Sequence, residues 1–158
     1  WADTLERLIE LRPEILIIEF GPHVTGENLI HERLTTTVNA LRWLRREVVD
    51  RLNRGLGERD ILADLDYPDD VFGHPWLSWV YGSPEYIVRD IVREESGWWD
   101  RNPTTLHPSP PADVARATFD AIADPDAVIA RAEALAAEGD PQLAMHVIDL
   151  VALSITKG

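Results

Sequence analysis

Residues 96–111 read SGWWDRNPTTLHPSPP. This is the longest stretch of the chain that cannot be regular structure. Pro103, Pro108, Pro110 and Pro111 each lack an amide donor and fix φ. Helical patterns flank it on both sides. A loop of this length inside a compact domain is uncommon, and is either functional or disordered. Two large aromatics, Trp98 and Trp99, are costly to leave in water, so an ordered, packed loop is expected. Asp100 and Asn102 can bond nearby backbone groups and hold its turns. The two tryptophans follow Gly97 and leave the helix end in different directions. The expectation is that one enters the helical core, while the other lies near the N-terminal strand or a partner.

Upstream, Ser83-Pro84-Glu85 is a helix start, with a cap followed by Pro at the first position. That helix runs to about Glu95 and turns Tyr86, Ile87, Ile91 and Val92 inward. Residues 66–83 are irregular or weakly helical and dense in aromatics: Tyr67, Phe72, Trp76, Trp79 and Tyr81. A short helix is placed around Asp60–Leu65. Downstream, three helices each begin with Pro just inside a cap, at Pro111, Pro125 and Pro141. Residues 126–156 form a helix–turn–helix that breaks at Gly139.

The longest periodic element spans residues 27–54. Leu34, Val38, Leu41, Val48 and Leu52 repeat at steps near three and four, widened by Ile30, Leu44 and Val49. Such a helix is about 40 Å long, and Gly55 and Gly57 supply its stop. Its length suggests packing beyond its own chain, which makes the five-residue stripe a candidate dimer interface. The alternative is a spine helix inside one bundle. Before it, residues 3–12 read as a helix capped by Asp3 or Thr4 and stopped by Pro13. Ile15-Leu16-Ile17-Ile18 reads as a strand buried on both faces. One helix and one buried strand make no sheet, so the rest of that sheet is expected elsewhere.

Composition narrows the classes. The chain has 158 residues, 45% of them hydrophobic, which suits one domain, or one domain and a piece of another. A formal charge of −13 repels polyanions and argues against a nucleic-acid partner. With no cysteine there is neither a disulfide framework nor a thiolate metal site. No apolar run approaches the ~18 residues of a membrane span. The N-terminal residues lack a basic region and a continuous apolar run, so they do not read as a signal peptide. The compartment stays open, with a soluble cytoplasmic protein favoured over a secreted one. The chain begins with Trp1, and a fragment or processed chain is the expectation.

Gly97, Trp98, Trp99, Asp100, Asn102, Pro103, Leu106 and Pro108 match a pattern of the form G-W-aromatic-D-x-N-P-x-x-L-x-P. That pattern resembles one in the helical domain of alkyl-sulfatase-like proteins of the metallo-β-lactamase fold. The segment YGSPEYIVRDIVREESGWWD is similar to the family in order and spacing. The resemblance implies a mainly α fold: a helical bundle dimerisation domain over 27–158. Residues 1–26 then form a short helix–strand piece, the C-terminal end of an α/β/β/α metallo-β-lactamase-fold domain. It also implies a homodimer, a metallo-β-lactamase-fold catalytic domain or chain as partner, or both. Zinc is expected in that parent hydrolase domain, where two ions would activate water to hydrolyse an ester, a sulfate ester among the candidates.

The same resemblance places the family's metal-binding His on Phe20, anchored by Gly21, Pro22 and Gly26. Phenylalanine cannot ligate a metal, and His23 could substitute only in a rebuilt loop. No zinc or other cofactor is therefore expected on this chain, and none of its residues is read as catalytic. His23, His31, His74, His107 and His146 are scattered, with no H-x-H or H-x-x-x-H spacing; His146 reads as a half-buried packing residue. Serines lie in no G-x-S-x-G context, and the acidic pairs read as solvated faces. Trp76, Trp79, Tyr81, Trp98 and Trp99 are candidates for a substrate wall that holds an alkyl chain, with Arg101 and Asn102 for an anionic headgroup. The commoner use of such aromatics is core under a loop. Two further readings stay open: a tetratricopeptide-like helical protein-binding module, suggested by the 126–156 hairpin, and a non-catalytic subunit of a split hydrolase.

Overall fold

The computed structural model describes residues 1–78 and 82–155; side-chain statements end at residue 154. It is mostly helical and forms two compact units, Trp1–Asn102 and Pro103–Gly158. The division in compactness falls at 102/103, inside the Trp-Pro stretch.

In the first unit, α1 (Ala2–Glu10) leads to β1 (Ile15–Leu16) and β2 (Val24–Thr25), then to α2 (Glu27–Asn53). α3 (Glu58–Asp64), α4 (Asp69–Phe72), a 3-10 turn (Pro75–Leu77) and α5 (Pro84–Ser96) follow. α1 begins on Trp1 without a side-chain cap, so neither Asp3 nor Thr4 serves as one. The strand differs from its sequence reading. It is a two-residue antiparallel ribbon, with Ile15 opposite Thr25 and Leu16 opposite Val24. The β-branched run signals a buried strand, but only Leu16 and Val24 turn inward; Ile17 is 84% exposed.

α2 stays helical because its apolar residues recur at helical spacing and its end is closed by a Schellman motif. Leu56 N–H donates to the Arg51 carbonyl and Gly55 N–H to that of Leu52, and Gly55 sits at φ +89°. The helix joins two cores. Its first half packs Ile30 and Leu34 on Val24 and on Leu5, Leu8 and Ile9 of α1. Its second half packs Leu44 and Val48 on Ile61, Leu65, Val88, Ile91 and Val92. Ile30, Leu44, Val48, Ile61 and Val88 are fully buried, at about 1.5–3 kcal/mol each.

The α2 stripe, a candidate dimer interface by its sequence, packs within its own chain. Leu34, Val38, Leu41 and Val48 are buried by their own chain, and Leu52 packs half-buried against the second core. A 27-residue helix needs no second molecule when α1, the ribbon, α3 and α5 all lie along it. Its polar side ties the same neighbours down: Arg42 pairs with Asp3 and Glu6 of α1, and Arg45 with Glu94 and Glu95 of α5.

In the second unit, α6 (Pro103–Leu106) precedes α7 (Pro111–Ile122), α8 (Pro125–Ala137) and α9 (Pro141–Ile155). All four begin at a proline, as the caps predict for the last three. Asp124 accepts from Ala127 N–H, and Asp140 from Leu143 N–H. α9 packs on both α7 and α8, burying Ala115, Val128, Ala132, Leu135 and Ala144. Three alanines among these five let the helices approach closely. The tetratricopeptide-like hairpin is therefore α8–α9, a single copy among the described residues.

Candidate functional site

The Trp-Pro stretch is ordered by local bonds. α5 starts on Ser83, whose Oγ accepts from Glu85 N–H at 3.3 Å, and ends at Gly97 with φ +85°. Asp100 Oδ1 then accepts from Asn102 N–H at 3.0 Å, the Asx turn its sequence suggests. Trp99 Nε1 donates to the Asn102 carbonyl at 3.0 Å. Arg101 takes φ +66°, an uncommon backbone for a side-chain-bearing residue. Pro103–Leu106 then forms a helical turn, so the stretch is less irregular than its prolines imply.

Neither tryptophan enters a core. Trp98 is 69% exposed and Trp99 39% exposed, against the expectation that one is buried. The reason is local. Gly97 turns the chain off the end of α5, and Val92, Leu52 and Leu56 already close the core beneath it. Trp98 and Trp99 instead rim a shallow hollow floored by Leu52, Leu56 and Val92, with Arg101 and Glu58 at its edge.

Trp76 stands elsewhere. It packs beside Val24, Ile30 and Leu34, donates Nε1 to Thr37 Oγ1 at 3.2 Å, and carries the Arg33 guanidinium 4.4 Å from its ring centre. His74 Nδ1 accepts from Trp76 N–H at 3.1 Å and starts that turn. From Thr37 to Leu52 along α2 is about 22 Å, so Trp76 does not share a wall with Trp98 and Trp99. Trp79 and Tyr81 lie outside the described residues. The aromatic cluster that does form is one the sequence reading missed. Trp43 meets Phe72 edge-on at 5.3 Å, and Phe72 meets Tyr67 at 5.4 Å. It is core, packed against Leu44 and Val88. Spacing held the signal, since Trp43 precedes Leu44 on α2, next to the buried stripe.

Electrostatics at these places are structural. Burial pulls the Arg51 guanidinium down, but hydrogen bonds to Glu47 and Asp64 outweigh it and the net shift is upward. The Tyr67 phenol is pushed up by burial and then by the charge of Glu85. His23 and His146 are exposed, and His146 is thus not the half-buried packing residue its helix suggested. Among the described residues no three His, Asp or Glu side chains stand close enough to hold a metal ion together. No helix among them is long and apolar enough to cross a membrane.

Comparison with known proteins agrees with this architecture. Residues 57–157 match the profile of a family described as alkyl sulfatase dimerisation. A linear primary-alkylsulfatase of a Pseudomonas strain is 28% identical over 145 residues, which is 91% of this chain and 28% of that protein. An alkyl/aryl-sulfatase of Saccharomyces cerevisiae is 28% identical over 121 residues, 77% of this chain and 19% of that protein. The structure of the stereoselective inverting sec-alkylsulfatase Pisa1 from Pseudomonas sp. superposes with a TM-score of 0.85 at 23% identity. The superposition covers 96% of this chain and 24% of that one, and at such identity it speaks for the fold alone. The chain spans about a quarter of the length of these relatives.

Proposed function

Because the chain belongs to the alkyl sulfatase dimerisation family, we propose that it is the helical dimerisation and accessory part of an alkyl-sulfatase-like hydrolase of the metallo-β-lactamase fold. The family match over 57–157, which takes in α3 to α9, is the observation that carries this reading. In it, residues 1–26 belong with the hydrolase part, and two copies of the chain join through the helical part. The first unit suits that task. α1 and the β1–β2 ribbon are fixed to α2 by an apolar core and by Arg42, and α2 is fixed to α5 by Arg45. A hydrolase body attached at the ribbon is thereby held rigidly to the helices that meet the second copy.

The parent reaction is hydrolysis of an ester, with alkyl sulfate esters as the substrate class, and zinc held by the hydrolase part. Among the described residues no three His, Asp or Glu side chains stand close enough to hold a zinc ion together. Phe20, at the position where the resemblance puts a ligand, has no donor atom in its side chain and is 62% exposed. No catalytic step is assigned to this chain.

The test is reconstitution. The chain is co-expressed with a metallo-β-lactamase-fold sulfatase domain, and sulfate release from dodecyl sulfate is measured. The chain alone should release none, and the two parts should co-purify and turn over together. Failure to co-purify with any such domain contradicts the accessory role.

A further inference from the structure

Trp98 is a large aromatic that its own chain leaves 69% exposed, on a turn that local bonds hold in place. Trp, Tyr and Arg dominate the energetic centres of protein interfaces. We propose that Trp98 is the anchor of the contact between two copies of this chain. This deepens the dimer reading given above and rests on it.

Three observations choose a second copy as the occupant. The family match that describes dimerisation covers Trp98, Trp99, Arg101 and Glu58, and the apolar stripe of α2 is already buried. A two-fold contact brings the same patch of both molecules together, so a self-complementary patch needs a projection beside a recess. Here Trp98 projects at the rim of the hollow over Leu52, Leu56 and Val92. The rim also carries both signs of charge. Arg101 makes no hydrogen bond or ion pair among the described residues, and Glu58 lies across the same hollow, 3.9 Å from Arg89. A two-fold contact at this hollow would bring both charges of each copy into one patch, where Arg101 of one can meet Glu58 of the other. A Trp brings at most about 250 Å², short of the roughly 800 Å² per partner of a stable interface. Trp99 and the floor of the hollow therefore join the contact around it.

The experiment is sedimentation velocity of the 158-residue chain between 1 and 100 µM, for the parent and for Trp98→Ser and Arg101→Glu, with helix content checked by circular dichroism. Both side chains are on the surface, so both variants should keep the parent's helix content. The expected result is a parent dimer whose dissociation constant rises at least tenfold in Trp98→Ser and severalfold in Arg101→Glu. Tryptophan emission should also shift to the blue as the parent is concentrated, and Trp98→Phe should lose most of that shift. If the parent dimerises and Trp98→Ser dimerises equally well, the anchor is wrong and the dimer reading stands. If the parent is monomeric throughout, the dimer reading itself fails. If Trp98→Ser loses its helices, the Trp98→Phe emission comparison decides, and an unchanged blue shift overturns the proposal.

Discussion

Trp76 and Thr37 are joined by a hydrogen bond from the indole Nε1 to the threonine Oγ1, 3.2 Å long and spanning 39 residues of sequence. The bond fixes the 3-10 turn to the middle of α2, and Arg33 covers the outer face of the same ring. Thr37→Val keeps the shape of the side chain and removes the acceptor. It should cost about 1 kcal/mol, read as a lower urea midpoint at unchanged m-value. Thr37→Ser should restore most of it. An unchanged midpoint in Thr37→Val would mean that the ring is held by packing and by Arg33 alone.

Leu44 distinguishes a spine helix from an interface helix. It is almost wholly buried, between α5 and α3, so Leu44→Ala should cost about 2–5 kcal/mol. The loss should be one of folding stability. Urea melts at two protein concentrations tenfold apart should shift by the same amount as in the parent. A variant that folds as firmly as the parent but no longer associates would return the stripe to the interface.

Tyr67 sets an alkaline limit. Its phenol is raised above the usual value of about 10 by burial and by Glu85. Below that value both folded and unfolded forms carry the proton, and the group contributes no pH dependence. As the pH rises past it, the unfolded form loses the proton first and the folded form retains it. Stability therefore falls as the pH rises from about 10 through the raised folded value. Absorbance at 295 nm should show one phenol that ionises late, absent in Tyr67→Phe, and the variant's stability should fall less steeply above pH 10.

The helices were legible because their signals are local. Prolines at Pro84, Pro111, Pro125 and Pro141 stand at helix starts, and Gly55 takes the left-handed turn that ends α2. The misread features all depended on what covers a surface. Periodicity says which side of α2 is apolar, but the sequence does not say whether α1, α3 and α5 or a second molecule lies there. The run Ile15 to Ile18 has the composition of a central strand, yet only two residue pairs form. One of Trp98 and Trp99 was expected inside because burial of Trp is favourable in general. Gly97 turns the chain off the end of α5 and leaves both rings at the rim of the hollow over Val92. Trp76 does not share one surface with Trp98: it bonds the middle of α2 at Thr37, about 22 Å along the helix from Leu52 beneath Trp98.

The central claim, that this chain is a unit of dimerisation, is tested most directly by its mass in solution. Sedimentation equilibrium over 1–100 µM should return the weight of two 17.8 kDa chains at the upper end and fall toward one on dilution. A single species of one chain's weight across the whole range would contradict it.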